Sequence, residues 1–219
     1  MWSSEVTNMI ITGIWETLYM TLVSTLVGYV IGLPMGIILT VSDKDGIKPN
    51  AVLYKILDVI ANIVRSVPFI ILLVLLIPFT RLVVGKSYGS TATIVPLVIA
   101  AAPYIARMVE SSLKEVDAGV IEAARSMGAS NFTIITKVML VEARTSLLVG
   151  ATITLGTILG YSAMSGAVGG GGLGAIAIRY GYTRWQTDIM IVTVVLLVVL
   201  FQIFQTIGMM LANKFDHRK

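Results

Sequence analysis

Five long apolar stretches, separated by short charged connections, constrain this chain more than any other feature. A run of about 18 or more predominantly apolar residues is long enough to cross the hydrocarbon core of a bilayer as a helix. Here the stretches cover about 10–41, 67–84, 91–112, 145–168 and 189–211 of the 219 residues. Only 13% of the chain is charged and 56% is hydrophobic, against the ~25% charged share of ordinary soluble domains. So few charges cannot cover a water-facing surface of this size, and lipid is the expected solvent for most of it. The expected fold class is all-α integral membrane, a bundle of about five transmembrane helices in one domain over residues 1–219.

The first residues, MWSSEVTNMI, lack the positive segment and small-residue cleavage site of a secretory signal, so the first stretch is expected to stay as a membrane anchor. The second stretch is preceded by Arg65, whose charge at a helix centre would cost roughly 2.5 to 3.5 kcal/mol on insertion scales. Arg65 is therefore expected near an interface. Residues 51–64 then become a cytoplasmic or interfacial lead-in helix, capped by Asn50 and with Asp58 on its wet face. Sidedness follows from the short loops. Lys44, Lys48, Lys55, Lys114, Arg125, Lys137, Arg144, Lys214, Arg218 and Lys219 share one side, and only Arg81, Lys86, Arg179 and Arg184 the other. The positive-inside rule then puts the N-terminus outside and the C-terminus inside.

The formal charge of +4 is spread between apolar segments rather than gathered on one face, so no nucleic-acid partner is expected. Cysteine is absent, which removes disulfides and thiolate metal sites. The one histidine, His217, sits in the tail, so no histidine-based triad or zinc cluster can assemble among the spans. A serine–lysine pair stays open. Acids inside the spans are scarce, which argues against the proton relay of a coupled antiporter. Gly85-Lys86-Ser87 ends like a P-loop, but Thr80 stands where the first glycine belongs. The run GGGGLG at 169–174 fits a dinucleotide fingerprint in form only, without a strand or βαβ unit, and reads as a flexible or unwound exit from span four. Gly28, Gly32 and Gly36, and Gly156 with Gly160, are spaced to let helices approach closely.

The connection over 113–144 carries the most information. In DAGVIEAARSMGASNFTIITKVMLVEA, residues 117–143, Asp117 can cap a short helix whose Val120, Ile121, Ala124 and Met127 form one apolar stripe. Glu122 and Arg125 project elsewhere. Gly128 ends the helix by accepting a left-handed conformation, with Ala129 after it, and Ser130 or Asn131 can cap the next one. An amphipathic helix lying on lipid headgroups would show a similar stripe. The small Ala123 and Ala124 instead suit close approach by another protein surface.

Glu122-Ala123-Ala124, Gly128, Val138 and Leu140 resemble the EAA signature of permease subunits of ATP-binding-cassette importers, with Val141 where that family usually has proline. The likeness extends over nearly the whole chain. GIWETLYMT at 13–21, RSVPFIILLV at 65–74, IPFTRLVVG at 77–85, AAPYIARMVE at 101–110 and GYSAMSGAVGGGGLG at 160–174 look like methionine-importer permeases. The resemblance implies a type I importer permease in a bacterial inner membrane, working as a homodimer. It implies two copies of a cytoplasmic ATPase, which would bind the ATP and Mg, and an extracytoplasmic methionine-binding (lipo)protein. No cofactor is expected on this chain. Residues 117–129 would be the coupling helix that docks on the ATPase.

Tyr161, Ser162, Met164 and Ser165 are the pore candidates: they sit among small residues in span four, and Met164 is an unbranched, adaptable plug. A methionine in an ordinary helix contact would look the same. Arg107 and Glu110, three apart, can pair on one helix face. A permease of this class for another amino acid or small solute, or a secondary transporter without an ATPase, stays open as an alternative.

Overall fold

The structure, a computed structural model, describes residues 4–215; His217, Arg218 and Lys219, counted above, lie outside them. Among the described residues every regular element is helical. In chain order these are α1 (Ser4–Ser42), α2 (Ala51–Ser66), α3 (Phe69–Leu75), α4 (Ile77–Val84), α5 (Ser90–Lys114) and α6 (Ala118–Ser126). There follow α7 (residues 131–142, π-helical over Ile134–Met139), α8 (Arg144–Ser165), α9 (residues 172–182, π-helical over Ala177–Tyr182) and α10 (Thr187–Lys214). Four helical stretches are long and apolar enough to cross a membrane, and the bent pair α2–α3 makes a fifth.

The central post is α5, against which α1, α2, α3, α4 and α8 all pack. Its closest neighbour is α1, and the sequence shows why. Gly28, Gly32 and Gly36 recur every four residues on one face of α1, and each meets α5. A methyl added at Gly32 would lie 2.6 Å from the Ala102 carbonyl oxygen and 2.8 Å from Ile105 Cβ. Glycine at that position is what lets two backbones touch, the usual way membrane helices gain packing where lipid gives no hydrophobic drive. Gly156 likewise meets the Phe201 ring on α10, but Gly160 has nothing within 4 Å and joins no helices of this chain.

The second apolar stretch does not form one span: it divides at Leu76 into α3 and α4, and Pro68 at its start separates it from α2. Pro68 has no N–H to donate, and it pushes the preceding Val67 into an extended conformation (φ −83°, ψ 124°). The chain turns by 101° between α2 and α3. Asn50 caps α2 by accepting from the Leu53 N–H at 3.0 Å. The rest of α2 departs from the expected surface lead-in: it climbs antiparallel along α5, with Tyr54 on Glu110, Asp58 on Arg107 and Arg65 beside Tyr104. Asp58 therefore spends its charge on an arginine rather than on water. Arg65 lies against the middle of α5 rather than at its end, because the break at Pro68 falls halfway up the post.

The exit from α8 is unwound, the second of the two forms expected, and it is tied down by hydrogen bonds. One 3-10 turn, Gly166–Val168, leads into a glycine turn from which α9 folds back against α8, with Gly166 against Gly174 and Ala175. Gly171 and Gly172 hold φ values of 88° and 72°, which side chains rarely tolerate. Three helices pin this turn. The Gly172 N–H donates to Glu16 Oε2 at 2.6 Å and the Leu173 N–H to Thr17 Oγ1 at 2.9 Å, both on α1. From α5, Gly89 N–H donates to the Gly169 carbonyl at 2.8 Å and Thr93 Oγ1 to the Gly170 carbonyl at 3.3 Å. From α8, the Ser165 carbonyl accepts from Gly170 N–H at 2.9 Å. Helix α9 had no sequence signal, since its glycine-rich start has no apolar period. It packs with α1 and α10 around Ile10, Leu173, Ile176 and Ile189.

Candidate functional site

The Lys-rich end of the molecule is organised by α6. Asp117 opens it, its carboxylate accepting from Gly119 N–H at 2.7 Å. Gly128, at φ 80°, closes it with a Schellman arrangement in which Ala129 N–H reaches the Ala124 carbonyl at 3.1 Å and Gly128 N–H the Arg125 carbonyl at 3.0 Å. Ser130 then caps α7 by accepting from Thr133 N–H at 3.2 Å. The helix is thus held at both ends.

Its faces divide differently from the expected stripe. Ala124 is buried and Ile121 half-buried, both packed with Leu113, Ile134 and Met139. Val120 is exposed and Met127 is 82% exposed, so neither belongs to the packed face. Met127 falls in the turn that leaves the helix, where the 3.6-residue period no longer governs direction. Phe132, on the far side of the Gly128 turn in sequence, is 75% exposed as well. Glu122, Ala123 and Arg125 are also exposed. The free face of α6 is therefore mixed in charge, small at its centre and apolar at its tip, on a helix whose other face is fixed to the bundle. Such a helix passes on a push as a unit.

Two attachments tie α6 to the rest of the chain. Arg125 Nη2 donates to the Ile47 carbonyl at 3.1 Å, fastening α6 to the turn between α1 and α2. Between them lies a cavity of about 580 Å³ lined by Asp43, Lys44, Lys114, Glu122 and Arg125. Behind it runs an ionic chain that sequence reading found only in its Arg107–Glu110 link. Lys114 Nζ lies 2.6 Å from Asp43 Oδ2 and 2.8 Å from Glu110 Oε1; Arg107 pairs with Glu110 at 2.6 Å and with Asp58. The Lys114 ammonium bonded to Asp43 holds that carboxyl below the ordinary carboxylate range. Glu110 is buried, and two cations with the Tyr54 hydroxyl satisfy it. Links 49 to 71 residues apart in the chain carry no local sequence pattern, which is why they were not foreseen.

The second group of candidates stands near the far end of α8. Ser162 and Ser165 are buried, and their hydroxyls donate to carbonyls of their own helix, Leu159 at 2.8 Å and Ser162 at 2.6 Å. They face no path. Met164 is 52% exposed and Tyr161 half-buried, its ring stacked on Phe69 of α3 at 4.4 Å between centroids and 3° between planes. The structure therefore separates the four: Met164 presents an unbranched apolar side chain to the outside of this chain, Tyr161 packs at the elbow on Phe69, and the two serines bond within the helix.

Comparison with known proteins matches this arrangement over its full length. The chain is 50% identical over 217 residues to the probable D-methionine transport system permease protein MetI of Vibrio cholerae, covering 99% of this chain and 96% of that one. It is 53% identical over 158 residues to the D-methionine transport system permease protein MetI of Escherichia coli (strain K12), covering 72% and 73%. A solved structure of the inward-facing MetNI methionine ABC transporter superposes with a TM-score of 0.97 at 50% identity, over 99% of this chain and 100% of that one. An amino acid ABC transporter crystallised with histidines shares the fold, with a TM-score of 0.79 at 21% identity, over 96% of this chain and 95% of that one. Residues 28–218 match the family described as binding-protein-dependent transport system inner membrane component, and the chain belongs to that family.

Proposed function

We propose that this chain is the membrane-spanning permease subunit of an ATP-driven methionine importer, and that it forms a homodimer carrying one cytoplasmic ATPase on each α6. The observation that supports this best is α6 itself: a short helix capped at both ends, rooted by Ile121 and Ala124, with Glu122, Ala123 and Met127 left uncovered. The relatives' names supply the substrate. ATP and Mg belong on the ATPase, so hydrolysis takes place on another polypeptide. The basic end, with α6, faces the cytoplasm, which puts the N-terminus outside and the C-terminus inside, in agreement with the loop charges. A methionine-binding protein delivers substrate to the opposite end, where α9 and the glycine turn lie.

In this reading the ATPases close on ATP and move the two α6 helices together. Arg125 and the Asp43–Lys114–Glu110–Arg107–Asp58 chain carry that displacement into α1, α5 and α2 as one rigid body. Met164 is the gate residue: unbranched and uncovered, it closes a narrow path by packing and reopens when α8 shifts. The test is uptake of labelled L- and D-methionine by vesicles holding this chain, its ATPase and its binding protein. ATP-dependent accumulation of either enantiomer is expected. Vesicles that hydrolyse ATP in response to loaded binding protein yet accumulate neither would overturn the substrate assignment.

A further inference from the structure

Arg65 has no role in the packing described above. Arg107, the other arginine beside α5, is saturated by Asp58, Glu110 and Asn62. Arg65 makes no ion pair and no side-chain hydrogen bond among the described residues, although it stands at the elbow between α2 and α3 against the middle of a spanning helix. An exposed guanidinium without a partner, beside a helix long and apolar enough to cross a membrane, marks a place where a charged solute passes or rests. The guanidinium lines a cavity of about 180 Å³ whose other walls are Phe69, Leu72, Ala100, Tyr104 and Tyr161, with Val64 and Val67 at the break. Engineered cavities of ~150 Å³ take up benzene-sized guests. The Tyr104 and Tyr161 hydroxyls likewise have no hydrogen-bond partner among the described residues. One arginine and two tyrosines without other partners thus line a single aromatic pocket, the make-up of a small-molecule site.

We infer that the α2–α3 elbow is a subsite for a zwitterionic α-amino acid with an unbranched apolar side chain, occupied during passage through the membrane. The inference rests on the importer reading above and extends it to named contacts. Arg65 binds the carboxylate with its planar fork. The Tyr104 ring face and the Tyr104 and Tyr161 oxygens receive the ammonium. The stacked Phe69 and Tyr161 rings with Leu72 form the side-chain wall, and a thioether gains from aromatic contact there. Tyr161 lies three residues, about 4.5 Å of helix rise, before Met164, so the subsite sits one turn from the gate. Substrate selection is then shared between the external binding protein and the permease itself.

The test uses the complex of this chain with its ATPase, without binding protein, labelled by a diazirine-bearing methionine analogue and mapped by mass spectrometry. Labelling of the peptides holding Phe69 and Tyr161 is expected, suppressed by excess methionine and not by methioninol, which lacks the carboxylate. Arg65→Gln is expected to reduce the methionine-suppressed labelling about tenfold or more, the weight of a charge-assisted bidentate bond, and Arg65→Lys to restore part of it. Arg65 is exposed and unpartnered, so both variants are expected to assemble with the ATPase as the parent does, which size exclusion checks. Labelling elsewhere, labelling indifferent to Arg65→Gln, or equal suppression by methioninol overturns the subsite. Vesicles that import methionine while the complex shows no suppressible labelling overturn the subsite alone. Specific labelling without any ATP-dependent uptake instead removes the importer reading and keeps an amino-acid site.

Discussion

Asp43 shows how much one side chain holds together at the Lys-rich end. It is the first residue after α1, and Lys114 ends α5, so their 2.6 Å contact ties the two longest-packed helices at the same level. The bond lowers the Asp43 carboxyl, so the folded form holds its proton less readily than the unfolded chain. The contribution is therefore full above the ordinary carboxylate pKa of about 3.9 and fades as pH falls through the lowered value. Lys114 is 43% exposed, which keeps the gain to well under ~1 kcal/mol. Thermal melts in detergent are expected to show the parent slightly above Asp43→Asn at pH 7, with the gap closing in acid; a gap that widens in acid would contradict this sign. Residue-level chemistry was legible only where it is local. Asn50, Asp117, Gly128 and Ser130 could be read as caps because each acts within a few positions of itself. Nothing in the sequence separates Ser162 and Ser165, whose hydroxyls bond to their own helix, from serines that line a path. The level of Arg65 along α5 was not legible, because where the Pro68 break falls beside that helix is a tertiary fact.

At the scale of elements, the glycine face of α1 is the part most open to a quantitative test. Gly32→Ala adds one methyl against the Ala102 carbonyl and the Ile105 side chain, both on the α5 post. Overpacking of this kind costs about 1 to 3 kcal/mol, more than the alanine's better helix propensity of about 1 kcal/mol returns at most positions. The expected result is a lower melting temperature and lower yield of folded protein for Gly32→Ala. Gly160→Ala, where the added methyl meets nothing of this chain, is expected to leave the melt unchanged or raise it. Equal losses at both positions would deny that backbone contact is what α1 needs. The helical, four- to five-span class was legible from hydropathy because lipid demands long apolar runs whatever the packing. Helix α9 was not, because Gly172 and Gly174 are recruited by α1 and α8 rather than by any periodic face.

For the whole molecule, the uncovered surfaces say most. Only 11% of the apolar window of α10 is buried within the chain, against 56% for α5, so α10 meets lipid or another subunit over most of its girth. The α6 face is uncovered for a different reason: it is charged, small and rigidly mounted, which suits a protein groove. Glu122→Lys reverses the one acid on that face without touching the packed Ile121 and Ala124. It is expected to reduce co-purification of the ATPase at least ~5-fold, in keeping with like-charge or lost-pair effects of about 1 kcal/mol or more at an interface, while the permease still folds and dimerises. Full retention of the ATPase would move the docking surface elsewhere. The opposite end carries a consequence for how the protein is made. Glu16 is synthesised 156 residues before Gly172, the N–H it caps. At roughly 5 to 20 residues per second the nascent chain waits about 8 to 30 seconds between the two. Through that interval the Glu16 carboxylate has no Gly172 N–H to accept from, and only the arrival of the final third of the chain completes this end of the bundle.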